Sequence, residues 1–180
     1  MADISVHFII TGGTIDSFYD STKDTVMPNK KSVVPDFIQS LRLYGKSKFT
    51  VLFIKDSRDI VKKDLRKILN AVEKSPHKKI IITHGTYTMS DTARYLEANM
   101  KRKGKTVIIT GSMIPLSGFS PSDGPFELGY SIAKVQNLKE GIYVCMNGRV
   151  FSSKEVMKVN SEGRFSSIFG EGKKGNGKDN

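Results

Sequence analysis

Along the chain, short apolar runs rich in β-branched residues alternate with longer stretches whose apolar positions recur at a helical period. Five such runs occupy 4–10, 49–54, 79–83, 106–110 and 142–146. Each is nearly continuous in hydrophobicity, which predicts strands covered on both faces, as in a parallel sheet. Between them, "IVKKDLRKILNAVEK" lines up Val61, Leu65, Ile68, Leu69 and Val72 on one stripe. "MSDTARYLEANMKR" does the same with Met89, Ala93, Leu96 and Met100, with Thr88 or Ser90 suited to the N-cap and Asp91 to the first turn. "VPDFIQSLRLY" and "PFELGYSIAKVQ" predict two more helices, each with Pro near its start. Strands alternating with helices imply an α/β fold: a doubly wound, mostly parallel sheet of Rossmann/flavodoxin-like type, helices on both faces, one domain over residues 1–169. The polar stretch 16–32 is expected to be a long surface loop of the kind that serves as a lid. Residues 170–180, rich in Gly, Lys and Asn, are expected to form a disordered basic tail.

Composition narrows the class. With 38% hydrophobic and 26% charged residues, the chain reads as soluble and globular. No apolar run reaches the roughly 18 residues a membrane span needs, so no membrane partner is expected. The start "MADISVHFII" lacks the basic region of a secretory signal, and the lone Cys145 sits in an apolar run as a small buried hydrophobe. Together these predict a cytoplasmic protein. The net charge of +11 raises the question of nucleic acid. The cations are scattered, however, through "NKK", "VKKDLRK", "HKK", "KRKGK" and "GKKGNGK". No RNA-binding aromatic motif or Cys/His finger spacing accompanies them. Solvated faces are therefore favoured over specific nucleic-acid binding, while anionic substrates or surfaces stay open as partners.

In an open parallel sheet, ligands bind beyond the carboxyl ends of the strands. The five exits here read Thr11-Gly12-Gly13-Thr14; Asp56, Ser57 and Asp59; His84-Gly85-Thr86-Tyr87-Thr88; Gly111-Ser112-Met113; and Asn147-Gly148, with Lys154 and Lys158 further on. Any one exit could be an ordinary turn; five of the same character predict a ligand site on that edge. No cluster has metal-ligand spacing and no phosphate-gripping loop is present, so no cofactor or metal is expected. What remains is threonine, tyrosine and lysine. A hydroxyl needs a base to become a nucleophile, a buried lysine of depressed pKa can be that base, and glycine-turn N–H groups can hold an oxyanion. This inventory suggests acyl transfer or amide hydrolysis.

The motifs "TGGTI", "HGTYTMSDTA", "TGSMIP" with "SDGPFELGYSIA", and "MNGRVFSSKEVMK" resemble, in order and spacing, the N-terminal domain of bacterial-type L-asparaginases. The resemblance runs from about residue 4 to residue 165 and is nearest to short, single-domain asparaginase-like proteins. It implies hydrolysis of the side-chain amide of asparagine or a related small amide, without cofactor, by a homo-oligomer (dimer or tetramer). It also implies roles for individual residues. Thr14 matches the nucleophile, and Tyr19 is the nearest match to an assisting tyrosine on the mobile loop. Thr86 and Lys158 match the second half of the catalytic machinery. Gly13, Ser57, Arg58, Tyr87 and Ser112 fall at substrate-binding positions, Arg58 replacing a family Gln and facing the substrate carboxylate. At Tyr87 the family carries an Asp that accepts the substrate's α-ammonium and partners the lysine. Tyrosine there implies either an impaired relative that binds a small amino acid or acid, or a site retuned for an amide lacking a free α-amine, with the phenol hydrogen-bonded to Lys158.

Other polar residues carry blander expectations. Gly12 and Gly13 can make a tight turn, and Thr86 and Thr88 can be helix caps. His84 is expected to bond backbone, Asp123 to cap a helix or brace a loop, and Lys154 and Glu155 to form a solvated face.

Overall fold

The structure, a computed structural model, describes residues 5–170, so the expected basic tail lies almost wholly outside the described residues. Among the described residues there are ten strands and four α-helices, and the helices alternate with the five parallel strands of the central sheet. The central sheet contains β1 (Val6–Gly12), β4 (Ser47–Lys55), β5 (Lys79–Thr83), β6 (Thr106–Thr110), β7 (Gly141–Met146) and β8 (Arg149–Ser152) in the order β4-β1-β5-β6-β7-β8. The first five are parallel, and β8 runs antiparallel to β7. Helices α1 (Val34–Ser40), α2 (Lys62–Lys74), α3 (Met89–Asn99) and α4 (Gly124–Asn137) cover the sheet.

Side-chain alternation explains why the central strands are apolar throughout. Ile9, Ile80, Ile82, Val107 and Ile109 pack with Ile68 and Val72 of α2 and Met89 and Leu96 of α3. Phe8, Ile10, Ile81 and Ile108 point the other way, onto Val34 and Ile38 of α1 and Leu128 and Val135 of α4. Both faces are covered, so both register positions along these strands are mostly apolar, and His7 and Thr110, buried polar residues among them, are hydrogen-bonded. Burying each such side chain is worth roughly 1.5–3 kcal/mol. Cys145 belongs to the second layer, and burial pushes its thiol up to about 12.

Two expectations require correction. The 49–54 strand is not covered on both faces: β4 is the sheet edge, and Val51 is 50% exposed. The 16–32 stretch is not a simple loop, because β2 (Ser17–Asp20) and β3 (Thr25–Pro28) pair as an antiparallel hairpin. Its turn is held by Asp20, which accepts from Thr22 N and Oγ1, and by Asp24 at φ 50°. A second hairpin, β9 (Val156–Val159) and β10 (Arg164–Ser167), lies beyond the central sheet. Its Val156 and Phe165 sink into the core.

Chain direction sets where a site can form. From β1 the chain moves to β4 on one side, and from β4 it returns to β5 on the other. The carboxyl ends of β1 and β5 therefore flank the switch point, where a crevice opens in such sheets.

Two buried imidazoles make stability pH-dependent. His84 donates Nδ1–H to Gly85 O at 2.7 Å, so the neutral ring takes the Thr92 hydroxyl at Nε2, at 2.9 Å. His7 bridges Ser75 Oγ and Thr50 Oγ1, both at 2.8 Å. Burial lowers both to about 4 from 6.5. Between those values the unfolded chain holds more protons than the folded one, so stability falls as pH falls through that window. The contribution is a few kcal/mol per ring. Glu127, raised by burial to about 7, acts with the opposite sign, its stabilisation being lost as pH rises towards 7. Thermal denaturation is expected to show Tm falling from pH 6.5 to 4, with a shallower fall in His7→Asn; an unchanged slope in that variant contradicts the assignment.

Candidate active site

The paired glycines after β1 are required by close approach of backbone to backbone. Gly12 and Gly13 have φ 92° and 86°. A Cβ on Gly12 would lie 2.4 Å from Lys55 N, and one on Gly13 would lie 2.3 Å from Gly85 N. A Cβ on Gly85 would in turn lie 2.7 Å from Ser57 Oγ. The exits of β1, β4 and β5 are thus pressed together. The Gly13 N–H donates to Lys55 O at 2.9 Å, so this glycine shapes the floor and is not free to hold an oxyanion.

Above that floor lies a cleft of about 210 Å³. Thr14, Thr86 and Lys158 line it, together with Gly13, Ser57, Arg58 and Tyr87. Thr14 is half-buried at the start of a 3-10 turn, Thr14–Asp16, and among the described residues its hydroxyl has no hydrogen-bond partner. Thr86 is buried just before α3, whose N-terminus directs its positive end towards the cleft. Lys158 arrives from the outer hairpin: on β9 it shares a face with the buried Val156, so burying the valine turns the lysine inward. Its Nζ donates to Thr86 Oγ1 at 2.7 Å, and burial lowers its pKa from the ordinary lysine value. The hairpin is tied to α3 by Arg94, which donates to Val156 O at 2.7 Å.

Tyr87 is 58% exposed and lies between two cations. Lys158 Nζ sits 4.9 Å from the ring centroid and Arg58 Cζ 5.2 Å. The contact with Lys158 runs through the ring face, where a hydrogen bond from the phenol was expected. Arg58 is also bidentate to Asp56, at 3.0 and 2.7 Å, which holds the Asp56 carboxyl below its ordinary range. Asp56, visible in the sequence but assigned no role there, supplies the carboxylate among the cleft-lining residues. Ser57 is buried; Thr88 donates its hydroxyl to Ser57 O at 2.8 Å, so Thr88 stitches β4's exit to α3 and does not cap the helix with its side chain.

Two expected site residues are not brought to the cleft. Tyr19 stands on β2, 48% exposed, and its hydroxyl donates to the Asp24 carboxylate across the hairpin, a bond that raises its pKa. Ser112 is fully buried and donates to Ile114 O at 2.5 Å; its neighbour Met113 lines the cleft instead. Asp123 braces that loop, accepting from Met113 N at 2.7 Å and Ile114 N at 2.9 Å. Glu155 is not merely solvated: it accepts from Ser152 N and Ser167 Oγ, joining β8 to β10. Among the described residues no group of His, Cys, Asp and Glu is arranged to hold a metal, and no helix is long and apolar enough to cross a membrane.

A family profile described as "Asparaginase, N-terminal" matches residues 5–169. The chain belongs to the asparaginase family. Over 170 residues this asparaginase-family domain is 29% identical to L-asparaginase 2 of Bacillus subtilis, covering 87% of the chain and 44% of that protein. It is 30% identical over 167 residues to L-asparaginase 2 of Escherichia coli, covering 87% and 47%. The probable cytoplasmic L-asparaginase of Campylobacter jejuni superposes with TM-score 0.78 at 28% identity, covering 92% of this chain and 53% of the other. The thermostable L-asparaginase of Thermococcus kodakarensis gives 0.77 at 25%, covering 91% and 51%. The asparaginase-family domain thus spans about half the length of the relatives it matches.

Proposed function

We propose that the protein is an amidohydrolase of L-asparaginase type, acting on the side-chain amide of a small carboxylate-bearing substrate with Thr14 as nucleophile. The reading rests on the convergence of Thr14, Thr86 and Lys158 on one cleft. Thr14 Oγ1 attacks the amide carbonyl, and its proton passes to Lys158 through Thr86. The proton returns to the departing nitrogen, which leaves as ammonia, and an ester remains on Thr14. Water, deprotonated by the same pair, cleaves the ester and releases the acid. The depressed pKa of Lys158 raises its neutral fraction at a given pH, as a base requires. The helix dipole of α3 opposes the charge growing on the carbonyl oxygen. Ser57 and Arg58 face the substrate carboxylate. A cytoplasmic setting and a homo-oligomeric assembly go with this reading.

Tyr87 favours a narrower substrate. Its ring lies between Lys158 and Arg58, and Asp56 is already engaged by Arg58. Among the described residues no free carboxylate at that point awaits an α-ammonium, so an amide without a free α-amine is preferred over L-asparagine. Ammonia release from L-asparagine, L-glutamine and N-blocked or deaminated analogues tests this. Release from the analogues above that from asparagine is expected. Tyr87→Asp is expected to raise turnover of L-asparagine by at least about tenfold. Thermal stabilisation by these compounds without any ammonia supports instead a protein that binds but does not hydrolyse.

A further inference from the structure

The basic segments dispersed along the sequence become neighbours in the fold. Val6, Ser47, Lys79, Thr106 and Gly141 stand side by side at the amino ends of the five parallel strands. The loops entering β4, β5, β6 and β7 therefore share one edge, opposite the cleft. Thr106 N–H donates to Lys78 O and Gly141 N–H to Lys105 O, which knits consecutive entry loops together.

Cations dominate this edge. Lys74, Lys78 and Lys79 surround the entry to β5, and Lys101, Arg102, Lys103 and Lys105 precede β6. Lys139 precedes β7, and Lys48 lies at the start of β4. Three carboxylates, Glu73, Glu97 and Glu140, stand near them. Glu73 takes Lys101 N and Glu140 takes Gly104 N, at 2.7 Å each, so both are occupied with backbone. Among the described residues none of the nine cations forms an ion pair. Two are set into the structure without a counter-charge. Lys105, 6% exposed, donates to Ser75 O at 2.6 Å and His77 O at 3.1 Å. Lys79 donates to Thr106 Oγ1 and Leu138 O, both at 3.2 Å. Carbonyls and a hydroxyl orient these ammoniums and leave their charge uncancelled.

We propose that this edge binds the phosphate backbone of a nucleic acid without reading its bases. With strands spaced about 4.8 Å apart, the cation-bearing entries of β5, β6 and β7 form a row roughly 10 Å long. One nucleic-acid strand offers a phosphate about every 3.4 Å, so the row spans about three. A linear array of point charges complements a linear polyanion. Between the cations of the β5–β7 entries lie Pro76, His77 and Gly104, none of which supplies the apolar centre a protein partner needs or an aliphatic side chain to enter a bilayer. The exposed Leu41, Leu43 and Tyr44 sit at the β4 corner, where Leu43 and Tyr44 line an apolar cavity with Val6 and Ile132, outside the β5–β7 row. Among the described residues the β5–β7 entries also lack stacked Phe, Tyr or Trp side chains of the sort that capture unpaired bases, so backbone contacts carry the binding.

Fluorescence anisotropy of the full chain with labelled RNA and DNA oligonucleotides of about 20 nucleotides, single- and double-stranded, tests the assignment over roughly 50–200 mM salt. Wild type is expected to bind with a steep salt dependence and little sequence preference. K101E/R102E/K103E is expected to weaken binding at least about tenfold, against less than about threefold for K62E/K63E/R66E at the cleft end of α2. Ammonia release by K101E/R102E/K103E stays at the wild-type level. Should K101E/R102E/K103E fail to fold by circular dichroism, K74E/K78E carries the same test. The proposal is overturned by absence of binding at the lowest salt, by equal losses in the two triple variants, or by binding to phosphatidylserine vesicles with none to nucleic acid.

Discussion

Thr14→Ala is expected to lower ammonia release by at least about 10³-fold on every substrate the wild type turns over. The hydroxyl is half-buried in the cleft and unengaged by any other described side chain or backbone group, so its removal disturbs little packing. Melting temperature should stay within a degree or two. Lys158→Met should match the loss, because without the amine Thr86 keeps its place but has no base behind it. The losses should not add in the double variant, since the groups serve one proton path. Thr14→Ala retaining a tenth of wild-type turnover would sink the assignment of the nucleophile.

Gly13→Ala is expected to cost about 2–3 kcal/mol or more, lowering Tm by roughly 4–12 °C. Two effects combine: φ at 86° disfavours any side chain, and the added Cβ would meet Gly85 N at 2.3 Å. The obstacle is backbone, so no rotamer change relieves it. Gly104→Ala is the matched control, with φ 80° and nothing within 4 Å of the added carbon. It should lose only the conformational part, about 1 kcal/mol. The difference between the two Tm values isolates the contact between strand exits, and equal values would remove it.

Much of this architecture was legible because buried parallel strands write themselves as unbroken apolar runs. The cores of β1, β5, β6 and β7 needed no more than that. The four strands β2, β3, β9 and β10 stayed hidden because each is only four residues long and pairs in a partly exposed hairpin. β8 had a local signal that went unused: Asn147 and Gly148, φ 54° and 70°, form the two-residue turn that suits a tight hairpin. Motif order located Thr14, Thr86 and Lys158, since each follows a strand exit or a recognisable motif. Tyr19 and Ser112 lie outside the cleft lining because side-chain direction depends on nearby acceptors: Asp24 for one, the Ile114 carbonyl for the other. The gathering of cations on the entry edge was invisible for a different reason. Sequence separation between those loops says nothing about adjacency until strand order is known.

The fastening of three strand exits through bare backbone also divides the molecule into parts with unequal freedom to change. Gly13, Gly85 and Ser57 tolerate almost no alteration, because each fills space the others define. Tyr87 and the outward side chains of the Ser17–Pro28 hairpin, Phe18 and Tyr19 among them, face solvent and are under no such constraint. New substrate preferences can therefore be sampled by mutation at the periphery, while the reactive centre is inherited unaltered.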